Sequence, residues 1–72
     1  MPDDPNFYEL LEVAPDAHVT TIRYAYRALA AKYHPDNSDT GNQVRFDKIT
    51  IAWKTLSDED RRRAYDMSLK ET

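Results

Sequence analysis

The sequence predicts an all-α domain, an antiparallel hairpin of two long helices with a short helix on each side. Apolar residues recur at spacings of three and four along two stretches, which is the pattern of an amphipathic helix. The single glycine and the four prolines separate the helical stretches, and no alternating strand pattern lies between them. Since 72 residues suffice for only one domain, we assign residues 1–72 to one unit.

The first helix is expected to begin with Asp4 as its N-cap and Pro5 at the first helical position. A proline is tolerated there because the N–H it lacks has no partner inside the helix. The helix should end before Pro15. One side carries three large apolar residues, Phe7, Leu10 and Leu11.

The second helix is predicted from about Ala17 to Tyr33, with Asp16 as its cap. Pro35 disfavours the α conformation at the residue before it, so this helix should stop at His34. Its apolar stripe has spacings of four, three and four, formed by Ile22, Tyr26, Leu29 and Tyr33.

Turn-forming residues from Asp36 to Asn42 predict a loop, and a third helix follows from about Gln43 to Leu56. Its stripe has spacings of three, four and three, formed by Phe46, Ile49, Trp53 and Leu56. Two amphipathic helices joined by a polar loop should pack antiparallel. The aromatic residues of the helices are interpreted as packing groups of the shared core, among them Tyr8 and Tyr65.

A short fourth helix is expected after Ser57, which would serve as its N-cap. Three acidic residues follow at the positive end of that helix, Asp58, Glu59 and Asp60. The three consecutive arginines 61–63 are expected to complement the C-terminal end of the helix and to pair with the acids around them.

Composition excludes several classes of function. A net charge of −3 disfavours a nucleic-acid binder, since such domains are normally basic. The absence of cysteine excludes disulfides and thiolate zinc sites, and two histidines alone give no basis for a metal site. No cofactor is expected.

No apolar run reaches the ~18–20 residues of a membrane span, and the acidic start is unlike a signal peptide. We therefore expect a soluble, cytoplasmic monomer.

The charges are unevenly distributed along the chain. Residues 1–16 carry five acids and no base, whereas residues 17–35 carry Arg23, Arg27 and Lys32 and no acid. At about 100° per residue, Arg23, Arg27 and His34 form a second stripe beside the apolar one. Such a stripe can meet an acidic surface of another protein. A merely solvated face is the alternative, and the pattern alone does not decide between them.

The tripeptide His34-Pro35-Asp36 ends this stripe. Proline restricts φ and cannot donate a hydrogen bond, so the three residues should form a stiff turn. An exposed aspartate there can accept a bidentate hydrogen bond from a partner's arginine, and the histidine can donate or accept. The alternative is a simple helix-stop turn. No nucleophile, oxyanion hole or pocket is evident beside these residues, so an enzyme is not expected.

Four blocks of sequence, taken in order, resemble the J-domain of the DnaJ family over about residues 6–66. They are residues 6–13 (NFYELLEV), residues 22–36 (IRYAYRALAAKYHPD), the third-helix residues Phe46, Ile49, Ala52, Trp53 and 56–58, and residues 62–66 (RRAYD). The resemblance implies that the domain binds a DnaK-type heat-shock-70 chaperone and stimulates its ATP hydrolysis. It implies that binding uses the second helix and the tripeptide, through Arg23, Tyr26, Arg27, Lys32, His34, Pro35 and Asp36.

The sequence also departs from the family pattern. Tyr24 and Ala28 stand where basic residues are common, and Ala31 replaces a bulkier residue. Asn37 follows the tripeptide where arginine is frequent. Asp47 lies where a base is often found, and Glu12 replaces a common glycine. A second reading is therefore a J-like adaptor with weak or no stimulation, although the intact tripeptide argues against it. A helical DNA-binding module is the third reading, disfavoured by the net charge.

Overall fold

A computed structural model describes residues 5–70, and within that range the chain forms helices joined by turns, without a strand. The prediction of an all-α fold is confirmed. None of the helices in this part of the chain is long and apolar enough to cross a bilayer. Four helices follow in order: α1 (Phe7–Leu10), α2 (Val19–Tyr33), α3 (Gln43–Leu56) and α4 (Glu59–Lys70).

Helix α3 is the central element, because α1, α2 and α4 all pack against it. Its contacts with α2 show the direction of the hairpin. Near the connecting loop, Arg45 donates a hydrogen bond to the Tyr33 hydroxyl at 2.9 Å. Further from the loop, the Tyr26 ring stacks on Trp53 with 5.4 Å between centroids. Residue numbers rise along one helix as they fall along the other, so α2 and α3 are antiparallel, as predicted.

The core lies where α1 meets the hairpin. Fully buried side chains come from α1 and the residue after it, from α2 and from α3, namely Tyr8, Leu11, Ile22, Ile49, Ala52 and Leu56. The aromatic members of the two predicted stripes are only partly buried around this cluster, among them Tyr26, Tyr33 and Trp53. Burial of this apolar surface is the main source of stability, at about 25 cal/mol per Å².

The start of α1 differs from the prediction. Asn6 is the N-cap, and its side chain accepts a hydrogen bond from the Glu9 amide at 2.8 Å. The Glu9 carboxylate accepts one from the Asn6 amide at 2.8 Å, which completes a capping box. The predicted helical position of Pro5 is therefore wrong, and the helix begins after Asn6. Asp4 itself lies outside the described residues.

The start of α2 is also two residues later than predicted. His18 is its N-cap, and its Nδ1 accepts a hydrogen bond from the Thr20 amide at 3.1 Å. Asp16 and Ala17 belong to the preceding turn. The end of α2 at Tyr33 was predicted correctly, and so were both ends of α3.

Helix α4 begins after Asp58, not after Ser57. The Asp58 carboxylate accepts from the Arg61 amide at 3.0 Å, whereas the Ser57 amide closes α3 by donating to the Trp53 carbonyl at 2.9 Å. The helix has 12 residues and is not short, so the three arginines lie in its first half and not at its C-terminal end. Arg63 does pair with nearby acids, at 3.8 Å from Glu59 and 3.9 Å from Asp60.

Candidate functional site

The end of α2 and the turn after it place His34, Pro35 and Asp36 on the surface. The helix stops at His34, whose ψ of 136° turns the chain away from the helical path ahead of the proline. The side chains of His34 and Asp36 are 50% and 94% exposed. Both are therefore open to a partner while the backbone between them is restricted by the proline ring.

A hydrogen bond inside the tripeptide orients the histidine ring. His34 Nδ1 accepts from the Asp36 amide at 3.1 Å. Since Nδ1 is the acceptor, the neutral ring carries its proton on Nε2 and can donate there. The Asp36 carboxylate lies 3.8 Å from the same Nδ1, outside hydrogen-bond distance, so its oxygens remain available for a partner.

A residue of helix α3, Phe46, packs against the His34 ring. The edge of the His34 ring meets Phe46 at a centroid distance of 5.3 Å and an interplanar angle of 75°. The sequence pattern placed Phe46 in the core stripe, but the structure leaves it half-buried at the loop end of the hairpin. Its role beside the histidine could not be predicted from the sequence, because the contact joins residues on two different helices.

The basic stripe on α2 is exposed. Within residues 5–70, the Arg23 and Arg27 side chains make neither an ion pair nor a hydrogen bond. Lys32 is also exposed, and its Nζ lies 5.3 Å from the centroid of the Tyr33 ring. These cations are not neutralised by the described part of the domain, so they can meet acidic groups of another molecule.

Tyr26 is placed differently from the other predicted site residues. It is half-buried, its ring stacks on Trp53 at an interplanar angle of 8°, and its hydroxyl lies 3.4 Å from Thr50 Oγ1. The structure thus groups the tripeptide and the arginine stripe on the surface, whereas it packs Tyr26 against α3. A partner contact by Tyr26 stays a prediction.

The grooves of the surface lie away from the tripeptide. Three shallow grooves have volumes of about 340 to 430 Å³, and none of these three is lined by the tripeptide. Among residues 5–70, no group of three or more metal-binding side chains could hold an ion. The exposed turn and the neighbouring cations are typical of a surface that recognises a partner protein.

Comparison with known proteins agrees with this description. The family model described as the DnaJ domain matches residues 6–66. Among similar proteins, a chaperone protein DnaJ of Limosilactobacillus reuteri is 47% identical over 64 residues, which cover 88% of this chain and 17% of that protein. Protein psi1 of Schizosaccharomyces pombe is 44% identical over 63 residues, covering 88% and 16%.

A third relative carries a different name. A curved DNA-binding protein of Salmonella choleraesuis is 47% identical over 62 residues, which cover 85% of this chain and 20% of that protein. The chain thus spans a fifth or less of the length of each of these relatives.

Proposed function

The chain belongs to the DnaJ domain family, and from that premise we propose that it binds a DnaK-type heat-shock-70 chaperone and stimulates ATP hydrolysis by that chaperone. The observation that carries the proposal is the exposed, internally hydrogen-bonded tripeptide that follows the helix of the exposed basic stripe. The domain would act as a co-chaperone, activating an enzyme without being one.

The tripeptide supplies directional contacts. The Asp36 carboxylate is almost fully exposed and can accept a bidentate hydrogen bond from an arginine of the partner. His34 can donate through Nε2 while its other ring nitrogen is held by the Asp36 amide. Because the turn is ordered before binding, less conformational entropy is lost when the two proteins associate.

The basic stripe supplies long-range attraction. Arg23 and Arg27 are exposed residues of α2, the helix that the tripeptide follows, so a partner with an acidic groove would be oriented toward this part of the domain. We propose that these residues, with Lys32 and Tyr26 beside them, form the docking surface. Contact of the chaperone with the tripeptide would then produce the stimulation.

Two other readings give different outcomes in the test. An adaptor domain would bind the chaperone without accelerating hydrolysis. A DNA-binding module would shift a DNA fragment in a gel at low salt, as the name of one group of relatives suggests for those proteins. The net charge of −3 does not favour DNA binding by this chain.

The test is a single-turnover ATPase assay with a panel of DnaK-type chaperones preloaded with ATP. The domain alone should not hydrolyse ATP, and it should accelerate hydrolysis by at least one chaperone. His34→Gln and Asp36→Asn should each abolish the acceleration. Asp39→Asn is the matched control, since it removes the same charge from an exposed aspartate of the same loop. The melting temperature of each variant should remain near that of the parent, since exposed substitutions usually change stability by about 0.5 kcal/mol or less.

If the parent accelerates no chaperone in the panel, the proposal is wrong. Binding without acceleration would then identify the adaptor. If both tripeptide variants stimulate as well as the parent, the site has been misplaced.

A further inference from the structure

The Asn37 side chain makes three hydrogen bonds in the loop after the tripeptide. Its Oδ1 accepts hydrogen bonds from the backbone amides of Asp39 at 3.0 Å and Thr40 at 3.2 Å. Its Nδ2 donates to the Ala31 carbonyl in the last turn of α2 at 3.3 Å. The half-buried Asn37 side chain therefore closes the turn and also bonds it to the helix.

The same loop donates hydrogen bonds to three of the four carbonyl groups that the end of α2 leaves without partners in the helix. In addition to the hydrogen bond from Asn37 to the Ala31 carbonyl, Thr40 Oγ1 donates to the Lys32 carbonyl at 2.5 Å. The Asn42 amide donates to the Tyr33 carbonyl at 2.9 Å. Because Pro35 prevents the helix from continuing, these groups would otherwise rely on water.

The backbone of the loop approaches the tripeptide closely. The Asn37 amide donates to the His34 carbonyl at 2.8 Å, and the Gly41 amide donates to the Asn37 carbonyl at 2.9 Å. A Cβ atom at position 41 would lie 2.5 Å from the Asn37 oxygen and 2.6 Å from the His34 oxygen. Only glycine fits there without a backbone shift. The loop is therefore in close backbone contact with the tripeptide.

We propose that Asn37 is a positioning residue for the tripeptide and that this function depends on the loop it closes. The inference rests on the proposed function, because it states how the same site is kept ready for the chaperone. Asn37 fixes the residues that follow Asp36 as the histidine ring fixes Asp36 itself. Both sides of the aspartate are then ordered before the partner arrives, and the loss of entropy on docking is reduced.

The type of residue at position 37 matters for charge as well. An arginine in this position would place a cation next to the Asp36 carboxylate. Asparagine supplies the hydrogen bonds of the turn and adds no charge. Within the described residues, the only ionic neighbour of Asp36 is the His34 ring at 3.8 Å. The carboxylate thus stays open to a cation of the partner.

The test compares Asn37→Ala with Asn37→Ser and with Ser38→Ala as the matched control. Ser38 is an exposed residue of the same loop whose side chain makes no hydrogen bond within residues 5–70. Serine at 37 can accept from the amide two residues on in the same kind of turn, although more weakly than asparagine. The readouts are amide hydrogen exchange at Asp39 and Thr40, the melting temperature, and single-turnover stimulation of the chaperone at several domain concentrations.

Asn37→Ala should speed hydrogen exchange at the two amides. It should also raise the domain concentration needed for half-maximal stimulation about tenfold, a change that corresponds to about 1.4 kcal/mol. Asn37→Ser should be intermediate in both readouts, and Ser38→Ala should match the parent. The graded response of the serine variant separates positioning from misfolding, because a misfolded domain would not be restored by a hydroxyl group.

Faster exchange in Asn37→Ala with undiminished stimulation would overturn the inference, as would unchanged exchange. A parent that stimulates no chaperone would instead refute the proposed function, so the two failures can be told apart.

Discussion

The guanidinium group of Arg62 joins helix α4 to the first helix by donating a hydrogen bond from Nε to the Tyr8 hydroxyl at 3.0 Å. The same guanidinium donates through one terminal nitrogen to the carbonyls of Pro15 at 3.2 Å and Ala17 at 2.7 Å. The Tyr8 hydroxyl in turn donates to the Asp66 carboxylate. Arg62 therefore holds the α1–α2 turn and α4 together.

Removing this guanidinium should destabilise the domain. We expect Arg62→Ala to lower the free energy of unfolding by about 2–4 kcal/mol, because it breaks three hydrogen bonds from a charged donor, two of them part-buried. Arg61→Ala is the control, since that neighbouring side chain is exposed, and it should change stability by ~0.5 kcal/mol or less. Urea denaturation followed by circular dichroism measures both. Equal effects of the two variants would contradict the anchoring role.

The Tyr8 hydroxyl should make stability depend on alkaline pH. Burial raises the pKa of Tyr8 above its ordinary value of 10.0, and the hydrogen bond to Asp66 raises it further, while Arg62 acts in the opposite direction. The neutral phenol is therefore favoured by folding. The stability that the neutral Tyr8 hydroxyl contributes to the folded state is fully present below pH 10.0. It is lost as the pH rises through the pKa of Tyr8 in the folded state.

The measurement compares the parent with Tyr8→Phe in urea denaturation from about pH 9 to about pH 12. Tyr8→Phe should be less stable than the parent at the lower pH. The difference between their free energies of unfolding should narrow as the pH rises. The same substitution at the exposed Tyr24 controls for the loss of one hydroxyl. If the difference stays constant or widens, the pKa of Tyr8 is not raised by folding.

Glu12 has a backbone conformation that suits glycine. Its φ is 58°, and it follows α1 in a C-terminal turn where the Val13 amide donates to the Tyr8 carbonyl at 3.0 Å and the Glu12 amide to the Glu9 carbonyl at 3.1 Å. A side chain in this left-handed region costs about 1–2 kcal/mol. Glycine removes that strain but adds flexibility to the unfolded chain.

We therefore expect Glu12→Gly to stabilise the domain by about 0.5–1 kcal/mol in thermal or chemical denaturation. Glu12→Ala is the control, because it removes the charge and keeps the strained side chain, so it should bring no comparable gain. Equal stabilisation by both variants would assign the effect to charge and not to backbone conformation.

The basic stripe should govern the rate of association with the chaperone. Arg27→Ala should slow association about two- to fivefold at low salt, and Ala28→Arg should speed it by a similar factor, because attraction between exposed charges acts mainly on the association rate. Asp47→Lys should act in the same direction as Ala28→Arg. These differences should shrink as salt is added.

Stopped-flow binding across a salt series measures them, with Arg63→Ala as the control for an exposed arginine on another helix. Residues 28 and 47 are both exposed, so neither added charge should disturb folding. If Arg27→Ala binds at the parent rate and the added charges have no effect, α2 is not the docking surface. The tripeptide alone would then carry the interaction.

The helical hairpin could be predicted from the sequence because the signals for it are local. The periodic stripes of α2 and α3 are encoded within each helix, and Pro35 ends α2 whatever the rest of the chain does. The starts of α1, α2 and α4 were less well predicted. We expected Asp16 to cap α2, whereas His18 does so, because local sequence does not state which side chain meets a free amide.

The sequence by itself determined the fold class, because the apolar stripes of α2 and α3 are encoded within each helix. It also determined the positions of the tripeptide and the arginine stripe, since these follow from α2 and the proline that stops it. The tertiary structure decided which side chains support them. Phe46 lies against His34 from another helix, Arg62 reaches Tyr8 across 54 positions, and Asn37 closes a loop around α2 carbonyls. Such contacts depend on how separate segments pack, and neither residue type nor spacing specifies that arrangement.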